Sequence, residues 1–421
     1  MHKERRHITR NGIEIFDYKN PASHGFFISL FLRAGSMNEN ISGITHFLEH
    51  VMIRNVSRVM DDSLYPLLDE YGIEFNASTY SEMVQFYICG ASENFDIAAD
   101  IIARLFSPII LTASEISTER ERVKAEIRES DDRTSLTAFT NNIVHEGTTL
   151  ANPITGTLGG VSGITRSRLE AYRKEVMTAD NLFVYVTGGF TDDNINTLVK
   201  RLEKCNLCEG MKNENIAPVP QKFGKRDGSA HIKNADFTML RFSFDMDMSR
   251  MSFAETDLIY DMLLGGYSSR FFLEMSERRG LCYDISGMSE RYNNIGTFSF
   301  SYEVRGGSIY DAAELTVALL SDFKSRLFSD GELMKAGYVR NAHILYDDPR
   351  ELNFTFAYDN HIIGLGYSCI EERAERYAEI TPQRIREVAV ALFRPENLTL
   401  TIKGNKKKID VERLESIIKN L

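Results

Sequence analysis

The order of apolar and polar positions divides the chain into two runs that repeat each other. In the first, helical spacing from Gly43 to about Asn55 leads to a second helical stretch, Asp61 to Tyr71, then Gly72, then the alternating segments IEFNASTY and VQFYICG. A period of 3.6 predicts helices and a period of 2 predicts strands, so the order is helix, helix, strand, strand. The second run repeats it as FAETDLIYDMLLGG, SRFFLEMSERRG, LCYDISGM and TFSFSYEV, with Gly280 in the place of Gly72. Each half then continues into helices and closes on a strand and a glycine: DNLFVYVTGG after RSRLEAYRKEV, and ENLTLTIKGN after ITPQRIREVAVALF. Residues 209–228 mix Pro, Gly, Asn and alternating charge without periodicity and read as a linker. The expectation is an α+β protein of two homologous halves, 1–208 and 229–421, each a mostly antiparallel sheet covered by helices on one face.

Composition narrows the function classes. A chain of 421 residues exceeds one ordinary core, which agrees with two units. A net charge of −11, with no basic run longer than Lys406 to Lys408, argues against nucleic acid and anionic membranes as partners. No stretch is apolar enough to span a bilayer, and the opening MHKERRHITRNG is polar where a secretory leader is apolar, so a cytoplasmic protein is expected. Five scattered cysteines make no disulfide framework, and Cys205-x-x-Cys208 lacks the second ligand pair of a structural zinc site. Gly156, Gly159 and Gly160 lack the Lys-Ser/Thr ending of a phosphate loop and read as a plain loop.

The chemistry concentrates in His46-Phe-Leu-Glu-His50. On a helix, positions three and four apart share a face, so both imidazoles can meet one ion while Glu49 reaches the same side. A catalytic zinc site takes three protein ligands and leaves one position open. The best third ligand is Glu126 in STERERVKAEIRES, 76 residues after His50. Glu119 lies two helical turns earlier on the same face and would stand behind, orienting a ligand histidine through its free N–H. Ligand type favours zinc over manganese or cobalt.

These segments, with RNGIEIF, LFLRAGSMNE, GITHFLEHVM, FNASTYSEM, ERERVKAEI, ANPITGTLGGVSGIT, LLGGYSSRFF and RRGLCYDISG, resemble the pitrilysin-like family of inverzincin metallopeptidases over nearly the whole chain. That family includes insulin-degrading enzymes, mitochondrial processing peptidase and paired bacterial peptidases. The resemblance implies zinc on His46, His50 and Glu126, Glu49 as general base and Glu119 as the supporting carboxylate. It implies a zinc endopeptidase in which Glu49 activates water for attack on a peptide carbonyl without a covalent intermediate. It further implies that Asn76 and Ala77 lie on a strand edge to which an extended substrate adds.

The second half has no histidine pair in FAETD, and the resemblance makes it a chamber-forming, substrate-clamping half. Its tyrosine is Tyr283. The arginine expected seven residues earlier is replaced by Ser276. Relatives of this length work as pairs, so the implied partner is a second copy or a related subunit that supplies an arginine and tyrosine. The implied substrate is a peptide or unfolded segment, modified or leader-bearing peptides included. The alternative is a non-catalytic chamber or assembly subunit of a paired complex.

Overall fold

The computed structural model describes residues 3–129, 135–231, 235–305 and 307–421. They form two compact units. Unit 1 gathers Met1–Asp131, Asn152–Asn215 and Ala342–Glu372, and unit 2 gathers Asp132–Ala151, Ile216–Asn341 and Arg373–Leu421.

Unit 1 is built on a sheet of β1 (Arg5–Ile8), β2 (Glu14–Lys19), β3 (Gly25–Leu32), β4 (Glu74–Thr79), β5 (Val84–Ala91) and β6 (Leu182–Gly188). Their order is β1-β2-β6-β3-β5-β4, antiparallel except where β2 runs parallel to β6. One face presents Phe26, Ile28, Leu30, Phe86, Val184 and Val186 to a core shared with α1 (Ile44–Val59), α2 (Leu64–Tyr71), α3 (Phe95–Ala103) and α4 (Ala113–Glu129). Burying these branched and aromatic side chains is the main stabilising term of the unit, roughly 1.5–3 kcal/mol for each of the larger ones.

The opposite face of this sheet is also covered. GFFISLFL in β3 and LFVYVTG in β6 are apolar at successive positions, the pattern of strands buried on both sides. The cover is the distant segment Ala342–Glu372. Asn353 donates to the carbonyls of Phe27 (3.2 Å) and Tyr185 (3.0 Å). The Arg350 guanidinium lies 5.0 Å from the Tyr87 ring, and the His361 ring stacks on Phe16 at 3.6 Å.

Unit 2 contains β7 (Gly228–His231), β8 (Phe237–Asp247), β9 (Ile285–Arg291), β10 (Ile295–Arg305) and β11 (Leu398–Gly404) in the order β7-β11-β8-β10-β9, with β7 parallel to β11. This is the arrangement β2-β6-β3-β5-β4 repeated, so the two halves share one topology. Gly72 and Gly280 occupy matching turns with φ of +59° and +56°. The core face carries Leu240, Phe242, Phe244, Phe298 and Phe300. The other face is polar: buried Arg241 and Thr401 meet the helix Leu136–Val144 through Thr137 and Thr140, whose hydroxyl lies 2.6 Å from that of Thr401, and buried Asp245 pairs with Arg226.

The α+β architecture of two homologous halves is therefore as the pattern predicts, and two features add to it. Residues 132–151 group with unit 2 and 342–372 with unit 1, so the compact units differ from the contiguous halves 1–208 and 229–421. These two segments place helices on the second face of each sheet.

Candidate metal centre

Helix α1 carries the histidines, and its first turn is fixed by three local features. Gly43 precedes it with φ of +86° and packs against Gly156, itself at φ +79°, so closely that a Cβ on Gly156 would lie 2.3 Å from the Gly43 Cα. Only glycine fits at that crossing. Glu39 is buried and its carboxylate accepts the N–H groups of Gly43 (2.7 Å) and Thr45 (3.2 Å), satisfying donors that a helix N-terminus leaves open. Burial raises its pKa to about 7, against the lowering effect of those N–H groups. The Thr45 hydroxyl meets Tyr172 at 2.7 Å, and further along Asn55 bonds Pro108 and Ile110.

Gly159 and Gly160 do not lie in a plain loop. They belong to the short helix Leu158–Gly163, which Thr157 caps by accepting the Gly160 N–H. Glycine's weak helix propensity hides such a turn in the sequence, and the side-chain cap supplies what the composition lacks.

Helix α4 crosses α1. Ile116, Glu119 and Val123 are its buried positions, and Glu126 continues the same stripe. Arg120 pins the crossing, with its guanidinium 5.4 Å from the Phe47 ring and a bond to the Ile164 carbonyl.

The crossing brings His46, His50 and Glu126 together, with one donor atom of each within 4.8 Å of the others. The Nε2 atoms of His46 and His50 lie 3.6 and 3.5 Å from the two Glu126 carboxylate oxygens. These gaps are too long for good hydrogen bonds. They match the roughly 3.4 Å that separates two ligands held about 2.0–2.1 Å from one tetrahedral zinc. The set of two imidazoles and one carboxylate thus fits that ion. Buried His46 makes no hydrogen bond through Nδ1 among the described residues.

Glu119 stands behind His50, 3.9 Å from its Nδ1, and is itself paired with Arg122 at 3.0 Å. Burial and the neighbouring His50 lower the His46 pKa to about 4, leaving it neutral and able to offer a lone pair at pH 7. At His50 burial works the same way, but Glu119, Glu49 and Glu126 outweigh it and raise the pKa. Burial opposes ionisation of Glu119, yet His50 and Arg122 hold its carboxyl below the usual range.

Glu49 shares the α1 face. Burial raises its pKa against a hydrogen bond from the Thr79 hydroxyl, 2.6 Å from Oε2. Thr79 was not singled out by the sequence pattern. It has the strand parity of Phe75 and Ala77, the positions of β4 that pack on the core, and this parity aims its hydroxyl at α1.

Asn76 and Ala77 lie on β4, whose single sheet neighbour among the described residues is β5. The Asn76 Oδ1 accepts the Ala77 N–H at 2.9 Å. Tyr283 belongs to unit 2. Its side chain is 96% exposed, and its carbonyl accepts the Ser276 hydroxyl at 3.3 Å. All five cysteines are free.

Residues 17–158 match the family described as insulinase, peptidase family M16, and residues 163–336 match the family described as the peptidase M16 inactive domain. The chain belongs to the M16 family. It is 26% identical over 391 residues to an uncharacterized zinc protease of Rickettsia felis, covering 90% of this chain and 89% of that one. The crystal structure of a protease from Helicobacter pylori has the same fold, with a TM-score of 0.83 and 18% identity over 96% of this chain and all (100%) of that one. The periplasmic protease PqqL of Escherichia coli also shares the fold, with a TM-score of 0.80 and 18% identity; the match takes in 100% of this chain and 50% of PqqL. The M16 family is zinc-dependent. Within this M16 chain, the helix Phe253–Leu263 takes the place of α1 in the repeat and carries no histidine. No helix among the described residues is long and apolar enough to cross a membrane.

Proposed function

We propose that the chain is a zinc endopeptidase whose metal is held by His46, His50 and Glu126, with Glu49 as general base. The observation that carries this reading is the convergence of those three donor groups beside Glu49 on crossed helices. Zinc, when bound, supplies a Lewis acid that polarises the scissile carbonyl and brings the pKa of a bound water towards about 7.

The chain's own residues supply the proton handling. Glu49 takes a proton from the attacking water and returns it to the leaving amine, and its raised pKa suits a group that must do both. Thr79 fixes the carboxylate through Oε2 and leaves Oε1 free to act. Glu119 sets the orientation of the His50 ring from behind.

The substrate is an extended peptide or unfolded segment, leader-bearing precursors included, that adds to the open edge of β4. Backbone pairing there gives affinity with little sequence demand, and Asn76 and Ala77 supply the contacts. Tyr283 serves as a substrate contact of the second half. Ser276, in the position of an expected arginine, supports a closed chamber completed by a related subunit that carries the arginine, with a self-sufficient homodimer as the alternative. The free cysteines support work in a reducing, cytoplasmic setting.

The test is removal of metal. Chelated protein is expected to lose cleavage of unstructured peptides, with or without a related subunit, and zinc to restore it. Cleavage that survives removal of all metal would refute the reading.

A further inference from the structure

Unit 1 contains a hollow of about 750 Å³ that shares no residue with the metal centre. It is bounded by residues 103–109, by the helix Arg166–Val176, and by residues 201–208 at the end of the helix Asp192–Leu202 and just after it. The volume lies within the range of sites for small organic ligands. Five cations line it, Arg104, Arg173, Lys174, Arg201 and Lys204, against the single carboxylate of Glu170.

The balance of charge is more lopsided than that count. Glu170 is paired with Arg166, and Arg201 with Asp100. Arg104, Arg173, Lys174 and Lys204 have no carboxylate at ion-pair distance among the described residues, in a chain whose net charge is −11. Arg173 is half-buried, is held by the Phe106 carbonyl at 2.7 Å, and has a buried Nε without a hydrogen-bond partner among the described residues. The Nε of Arg104 is buried and lacks a hydrogen-bond partner among those residues as well. Burial lowers the Arg173 pKa although Cys208 and Glu170 act to raise it, so its positive charge is only partly compensated. Cys205 adds no negative charge to the wall, because burial pushes its thiol up to about 11 and its Sγ faces the carbonyls of Ala103 and Arg201. That thiol is poorly suited to metal or redox work.

Two guanidinium forks and two ammonium groups without carboxylate partners match an anion of several charges, and planar forks suit phosphate oxygens in particular. We propose that this hollow binds a small oligophosphate anion, such as a nucleoside triphosphate or inorganic tripolyphosphate.

The test is calorimetric titration of the full zinc-loaded chain with tripolyphosphate, ATP and citrate, with zinc content measured before and after. Both phosphates are expected to bind, to weaken with salt, and to exceed citrate in affinity. The Lys174→Glu, Lys204→Glu double variant changes two exposed side chains and is expected to lose at least about tenfold in affinity, a cost of about 1.4 kcal/mol. Arg173→Gln is expected to do the same, and Lys407→Glu in unit 2 to change little. A tighter grip on ATP than on tripolyphosphate adds the nucleoside to the ligand, whereas equal affinity leaves the phosphates as the whole of it. No binding heat from either phosphate, citrate binding as tight, or unchanged affinity in the charge-reversed variant would overturn the proposal.

Discussion

Thr79 and Glu39 show how single side chains tune the proposed catalytic helix from outside the metal ligands. A hydrogen bond to an ionised group contributes roughly 1.5–3 kcal/mol, so losing the Thr79 hydroxyl should free Glu49 to sample unproductive positions. Thr79→Val is expected to lower kcat about tenfold or more while KM and zinc content stay near wild type, and Thr79→Ser is expected to restore most of the rate. Steady-state kinetics with metal analysis on the three proteins checks this. An equal loss in Thr79→Ser and Thr79→Val would show packing rather than positioning.

Glu39 carries a stability signal. Its folded pKa of about 7 lies above the ordinary 4.5, so folding favours the protonated carboxyl. That contribution is fully present below about pH 4.5 and is lost as pH rises through about 7. Relative to Glu39→Gln, the wild type is expected to lose up to about 3 kcal/mol of stability between pH 4.5 and pH 8. Urea unfolding across that range measures the gap, and a constant gap would contradict it.

At the scale of elements, the crossing of α1 and α4 is what turns two unremarkable helices into a ligand set. Close approach of Gly43 and Gly156 fixes where α1 begins. Gly156→Val combines a positive φ with a backbone clash, and is expected to cost about 2 kcal/mol or more and to weaken zinc binding. Urea midpoints and zinc titration check it, and a variant with wild-type values for both would remove the glycine contact from the account.

Much of this level was legible beforehand. HFLEH has helical spacing, and Glu119 and Glu126 stand seven residues apart on one helical face, so periodicity makes them candidates and the family resemblance supplies their roles. Thr79 was not legible, because its partner Glu49 is 30 residues away and a hydroxyl on a strand has many uses. The short helix Leu158–Gly163 was missed for a different reason: its residues favour loops and only the Thr157 cap reveals it.

Over the whole molecule, duplication is visible in the sequence because both halves repeat the same order of elements. The cover supplied by residues 342–372 is not. The apolar runs of β3 and β6 demand burial on both faces, but nothing local in them specifies Asn353, 326 residues from Phe27 and 168 from Tyr185, or His361 as the cover. Ser276 bears on assembly. Purified chain alone is expected to cleave unstructured peptides at least about tenfold more slowly than when mixed with a related subunit carrying the arginine, the difference made by roughly one well-placed charged hydrogen bond. Full activity of the isolated chain would end the proposal of a related subunit and leave a self-sufficient homodimer or monomer.

The central claim is the division of labour between a metal held by His46, His50 and Glu126 and a base at Glu49. The most direct measurement pairs metal analysis with peptide cleavage on wild type and Glu49→Gln. The account predicts zinc near one equivalent in both proteins and a loss of cleavage of several orders of magnitude in the variant. Undiminished cleavage by Glu49→Gln with zinc still bound would contradict it.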